Sequence, residues 1–313
     1  MWSIIVRKLP VIFLTMLLLS IFLFFLVRAI PGSPEMVILL QRGGAVSEEE
    51  LADLKRDLGL DASLFQQYMD WGMNMARLDF GTSYQSGLPV LDEIRSRIGN
   101  SLLLAVISLF ISISIGMFIA FFAALYSESK WDKGVRNIAI FLSSLPTYFI
   151  GLLLVLIFAI YARVLPVFGN DSWFHFILPI VTISFSLVAT FIPLFRQIFG
   201  EVMGSLYFEA TRARGIKKIS LYGKTLLRPS IHGMLTIIAS SIGMLWGAII
   251  VTETIFALPG LGSYIMKSIS VRDYSVIIGF TLIMAFFTMV LYLIIDLLLY
   301  LTDPRKGLGV END

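Results

Sequence analysis

The chain has 313 residues, of which 57% are hydrophobic and only 15% charged; 24 Lys and Arg against 22 Asp and Glu leave a net charge of +2, and mean hydropathy is +0.86. A soluble domain carries roughly 45–50% apolar and about 25% charged residues, so this surface is too apolar for water and needs lipid to cover it. With no cysteine and two distant histidines, His175 and His232, a disulfide framework, a thiolate metal centre and a cysteine nucleophile are excluded; no metal site, bound cofactor or nucleic-acid partner is expected.

Six stretches are apolar over the roughly 20 residues that a helix needs to cross about 30 Å of hydrocarbon: 9–29, 101–125, 137–162, 176–199, 232–257 and 274–301. A helix satisfies its own N–H and C=O groups where no water reaches them, and strand alternation is absent. The expected fold is therefore all-α and polytopic, with about six transmembrane helices. Segment 1–29 is the N-terminal span. Arg7 and Lys8 ahead of it resemble the start of a signal peptide, but the apolar run continues from Leu9 to Val27. That exceeds the 7–15 residues of a signal h-region, so an uncleaved anchor is expected.

Segment 30–100 is expected to be helical rather than a bare loop. Ser47-Glu48-Glu49-Glu50 has the serine and glutamate spacing of a capping box, followed by Leu51, Leu54 and Leu58 on one face and Gly59 as a stop. A second helix is expected over about 63–78, carrying Phe65, Tyr68, Trp71 and Met75, with Gly81 and Gly87 as breakers. A third amphipathic stretch, Val90 to Ile98, sets Val90, Leu91, Ile94 and Ile98 against Asp92, Glu93, Arg95 and Arg97, and is expected at the membrane interface, leading into the second span. The segment is a structural cap or a docking surface for a delivery protein; composition does not separate the two.

Basic residues orient the chain. Lys130, Lys133 and Arg136 lie between spans two and three, and Arg212, Arg214, Lys217, Lys218, Lys224 and Arg228 between spans four and five. Arg305 and Lys306 follow span six, whereas the opposite short loops carry only Arg163, Lys267 and Arg272. The positive-inside rule then places both termini and loop 200–231 in the cytoplasm and 30–100 outside. The remaining divisions are 101–303, a transmembrane domain, and 304–313, a cytoplasmic tail.

Loop 200–231 is the most informative stretch. Tyr207 to Ile216 runs through helix formers to Gly215, and its polar positions Glu209, Arg212 and Arg214 leave Phe208, Ala210 and Ala213 for apolar contact. It is either a short helix that lies in a groove on a cytoplasmic partner or a plain positive anchor. Gly223-Lys224-Thr225 is not a phosphate loop: the first glycine of G-x-x-x-x-G-K-[ST] would fall at Lys218, so ATP-driven work would need another subunit. Inside the spans the ionisable residues are Arg196, Glu253 and Asp296. Charges there cost about 2.5–3.5 kcal/mol on insertion scales, which makes Glu253 and Asp296 weak candidates for a translocation path. No nucleophile or metal motif of a hydrolase is present.

Glu209-Ala210-Thr211 followed by Gly215 resembles the E-A-A-x-x-x-G motif of the inner-membrane permeases of binding-protein-dependent ABC importers. Other stretches match the dipeptide, oligopeptide and nickel subfamily in order along nearly the whole chain: Leu26 to Gly32, Leu58-Gly59-Leu60-Asp61, Leu78-Asp79-Phe80-Gly81-Thr82-Ser83, Leu145-Pro146 with Tyr148, Glu253-Thr254-Ile255-Phe256 with Pro259-Gly260-Leu261-Gly262, Arg272-Asp273-Tyr274 and Asp303-Pro304. Two departures are Thr211 in place of alanine and Pro229, one place late in the motif's tail.

The resemblance implies a permease subunit of a prokaryotic cytoplasmic (inner) membrane. It would pair with a second, homologous permease, two cytoplasmic ATPase domains and an extracytoplasmic substrate-binding protein, with Glu209, Ala210, Thr211 and Gly215 in the ATPase-coupling helix. Alternating access would carry the solute, with ATP bound by the partner subunits. Peptides are favoured as cargo over nickel or a metal chelate. A self-sufficient secondary carrier is the rival from another class, and no internal repeat of the kind that marks such carriers is found at half-length.

Overall fold

The computed structural model describes residues 2–29 and 61–302. The expected capping box at Ser47, the leucine face after it and the Asp303-Pro304 tail lie outside the described residues. In chain order the helices are α1 (Trp2–Ala29), α2 (Leu64–Ala76), α3 (Val90–Leu125), α4 (Lys130–Ser143), α5 (Thr147–Leu154), α6 (Phe174–Met203), α7 (Leu206–Ala213), α8 (Arg228–Ser240), α9 (Ile242–Ile255), α10 (Leu261–Ser270) and α11 (Tyr274–Thr302). The one β feature among the described residues is an isolated bridge between Thr82 and Pro89.

Among the described residues, helices α1, α3, α6 and α11 are each long and apolar enough to cross a membrane, and the count reaches six if two bent pairs are one span each. Four of the expected spans are thus single helices. The stretch 137–162, expected as one helix, is instead broken: α4 and α5 meet at 95°. The cause is Leu145-Pro146. Proline has no N–H to donate, and it forces the residue before it out of helical conformation, so α4 stops at Ser143 and α5 restarts after Pro146. The fifth stretch bends by 45° between α8 and α9.

The chain divides into two compact units, 2–99 with 260–290 and 100–259 with 291 onward. In the first, α2 starts at its cap Ser63, whose hydroxyl accepts the Gln66 N–H, close to the expected start. It packs on α1 through Phe24, whose ring meets Tyr68 at 5.2 Å and Trp71 at 5.7 Å, and the Ser20 and Tyr68 hydroxyls share a hydrogen bond of 2.9 Å. Helix α10, which the hydropathy pattern does not announce, joins Phe80, Val90, Ile94, Val276 and Phe280 in a common core through Leu261, Tyr264 and Ile265. Val90 to Ile98 is the first part of α3, continuous with the second span.

The second unit is organised around α6. Its buried face carries Leu178, Ile183, Leu187, Phe191, Phe195 and Phe199. Against it, α3 brings Ser108 and Ser112, whose hydroxyls reach the Ile180 and Ser184 carbonyls at 3.4 and 3.3 Å; small hydroxyl residues allow such close helix approach in lipid. The same approach leaves no room at Gly116, where a Cβ would stand 3.0 Å from the Phe191 Cβ.

Candidate functional site

Helix α7 is built by its flanks. Ser205 caps it, accepting the Phe208 N–H at 3.3 Å, so one of the orphan donors of the first turn is satisfied. Gly215 ends it with φ of +70°, a left-handed conformation that a residue with a Cβ resists. A Cβ at Gly215 would meet nothing within 4 Å, so its backbone angle, not space, calls for glycine.

Phe208 is the buried side chain of this eight-residue helix. Phe208 is 5% exposed and belongs to the α6 core. Its ring lies 6.3 Å from Tyr222, which meets Phe121 of α3 edge-on at 5.3 Å; Phe121 in turn meets Phe199 of α6 at 6.3 Å. A chain of rings therefore runs from α7 to both long helices.

The three positions that the sequence leaves for apolar contact, Phe208, Ala210 and Ala213, do not share one environment within the chain. Phe208 turns inward, while Glu209, Ala210 and Ala213 are exposed on the outer side together with Leu206 and Tyr207. Thr211 is half-buried and donates its hydroxyl to the Tyr207 carbonyl at 2.7 Å, which leaves that polar atom occupied within the helix. Beyond Gly215 the chain passes one turn, Lys218–Ser220, into a π-helical stretch, Leu221–Leu227, directly before Pro229. Pro229 has no N–H for the ordinary helical bond, and a wider turn ahead of it absorbs the mismatch. The motif's late proline thus coincides with a local change of helix type.

The ionisable residues of the spans fall in different places. Glu253 on α9 is 0% exposed, and the Ser101 hydroxyl donates to its carboxylate at 2.5 Å. Asp296 lies half-buried on α11. Neither residue belongs to α7 or to the stretch that joins α7 to α8. Arg196 is in the same unit as α7 and grips Asp132 of α4 with two bonds, Nε to Oδ1 at 3.0 Å and Nη2 to Oδ2 at 2.7 Å. Asp132 was hidden in a loop whose basic residues dominate its reading, although Ser129 three positions earlier gives a capping signal: its hydroxyl accepts the Asp132 N–H at 3.2 Å. Among the described residues, no three His, Asp or Glu converge as a metal site would need.

The sequence matches the family described as binding-protein-dependent transport system inner membrane component over residues 112–307, and the N-terminal part of the same kind of membrane component over residues 1–105. It is 31% identical over 309 residues to the probable peptide ABC transporter permease protein y4tP of Sinorhizobium fredii, covering 96% of this chain and 98% of the relative. It is 30% identical over 305 residues to the glutathione transport system permease protein GsiC of Escherichia coli, covering 97% and 98%.

Proposed function

The chain belongs to the family of binding-protein-dependent transport system inner membrane components, and from that membership we propose that it forms half of the translocation path of an ATP-driven peptide importer. The relatives named for peptide and for glutathione, itself a small peptide, support this cargo over nickel or a metal chelate. The second half of the path would be a homologous permease. Energy would come from two ATPase domains in the cytoplasm, and cargo from an extracytoplasmic binding protein. The orientation follows the basic loops, with both termini and α7 on the cytoplasmic side.

The observation that carries the mechanism is the two-sidedness of α7. Phe208 locks it inward to α3 and α6, while Glu209 and Ala210 face outward beside Leu206 and Tyr207. A short rigid helix anchored at one ring and exposed elsewhere suits the transfer of a partner's motion to long helices, which is rigid-body gating rather than covalent chemistry. The test is reconstitution in vesicles, with and without the second permease, the ATPases and the binding protein. ATP-dependent uptake of di- and tripeptides by the full set alone is expected. Uptake by this chain alone would instead indicate a secondary carrier, and uptake of a nickel chelate but no peptide would reverse the cargo.

A further inference from the structure

The pair Arg196–Asp132 stands just beyond the second of two prolines inside α6, Pro179 and Pro193. Pro193 lies inside α6, and having no N–H it cannot close the helical bond to the Ala189 carbonyl; such a site bends more readily than the helix around it. Arg196 is three residues beyond that point, on the segment that runs through Met203 into α7. A push carried from α7 along the α6 backbone passes this proline before it reaches the rest of the helix. A hinge there would absorb part of the motion unless the segment beyond it were tied to another element.

The guanidinium supplies such a tie. Besides its two bonds to Asp132, Arg196 donates from Nη2 to the Ser127 hydroxyl at 2.9 Å. Asp132 is 0% exposed and its Oδ2 also accepts the Glu128 N–H at 3.1 Å, so the carboxylate is fixed to the turn between α3 and α4. Gly200 lies one helical turn on, and a Cβ there would touch Nη1 only at an ordinary contact distance of 3.5 Å. Planar bidentate pairing of this kind fixes direction as well as distance, which a lysine ammonium does not do.

We infer that Arg196 and Asp132 are positioning residues for energy coupling: they bind the α7-proximal end of α6 to α4 and the α3–α4 turn, so that these elements move together past the Pro193 hinge. The inference rests on the reading of α7 as the ATPase-coupling helix and adds the route by which its motion leaves α6.

The test measures peptide transported per ATP hydrolysed in the reconstituted complex, a ratio that does not depend on how much protein folds. Asp132→Asn removes the charge while keeping the shape, and Arg196→Lys keeps the charge while losing the fork. Both are expected to retain bound ATPase subunits and ATP hydrolysis while the ratio falls, by about tenfold for Asp132→Asn and less for Arg196→Lys, within the range seen for residues that carry coupling. In this cysteine-free chain, Asp132→Cys with Arg196→Cys can be bridged by a short bifunctional thiol reagent, and bridging is expected to restore the ratio lost in the unbridged double variant. An unchanged ratio at lowered protein amount would mean that the pair only holds the fold together and would overturn the inference. Loss of the ATPase subunits from Asp132→Asn would do so as well, by making the pair part of the docking site. Failure of the parent reading shows elsewhere, in the unmutated complex, as uptake that needs no ATPase.

Discussion

The Ser83 hydroxyl donates to the Asp273 carboxylate at 2.6 Å, joining positions 190 residues apart in the chain. The two residues come from separate stretches of the family pattern, and Asp273 also stands directly before α11, where its Oδ1 faces the Val276 N–H at 3.4 Å. It is buried, so the groups left behind on its removal have no water to turn to. Asp273→Ala is expected to destabilise the purified protein by about 1–3 kcal/mol, the range for a buried polar group left without its partner. Ser83→Ala should cost less, since Asp273 keeps its backbone donors. Thermal unfolding in detergent checks the order, and equal melting temperatures for both variants and the parent would refute it.

Two glycines on neighbouring helices should respond oppositely to alanine. At Gly116 the new methyl would press on the Phe191 Cβ, an atom fixed by its own backbone that cannot swing aside. Gly116→Ala is expected to cost about 1–3 kcal/mol by overpacking. At Gly134 on α4 the same methyl meets nothing within 4 Å, and losing glycine from a helix interior should gain about 0.5–1 kcal/mol. An unfolding midpoint that holds or rises in Gly116→Ala would show that helix approach there is looser than the 3.0 Å contact implies, and one that falls in Gly134→Ala would refute the gain expected at that position.

The orientation of the chain is open to chemical labelling. Ser47→Cys and Ser220→Cys, each alone in the cysteine-free background, should react oppositely with an impermeant thiol reagent added to intact cells. Labelling is expected at 47 and not at 220. The reverse pattern would place α7 outside and remove it from the reach of any cytoplasmic ATPase.

Hydropathy alone located the spans because crossing lipid demands long apolar runs, and the end of α3 at Leu125 coincides with expectation. It missed the 95° turn between α4 and α5 because a sliding average records how apolar a stretch is and not which way it points. The signal was present in Pro146, which was visible only as part of a motif. The short helix was legible as a pattern of residue types from Glu209 to Gly215, yet the inward turn of Phe208 was not. In an eight-residue helix, apolar positions on both sides give no clear face, and only the neighbouring rings of Tyr222, Phe121 and Phe199 decide which side is buried. Asp132 was obscured for a similar reason: a charge in a basic loop reads as solvated until its partner 64 positions away is known.

The two sides of α7 permit a separation of folding from coupling. Phe208→Ala empties a packed site and is expected to destabilise the unit by about 3–5 kcal/mol, lowering the amount of chain in the membrane. Ala210→Glu changes only the exposed side, so the amount of chain should stay normal while a bulky charge keeps a partner surface from seating. Gly215→Val forces a β-branched residue into φ of +70°, costing about 1–2 kcal/mol locally at the end of the helix. Insertion should survive this, since the position lies outside the apolar spans, but the register of the helix end would shift. ATP-driven peptide uptake should therefore fall sharply in Ala210→Glu and Gly215→Val at near-normal membrane levels, and fall in proportion to protein amount in Phe208→Ala. Full uptake by Ala210→Glu would show that no partner seats on that side, leaving the basic loop around α7 as an orientation anchor alone.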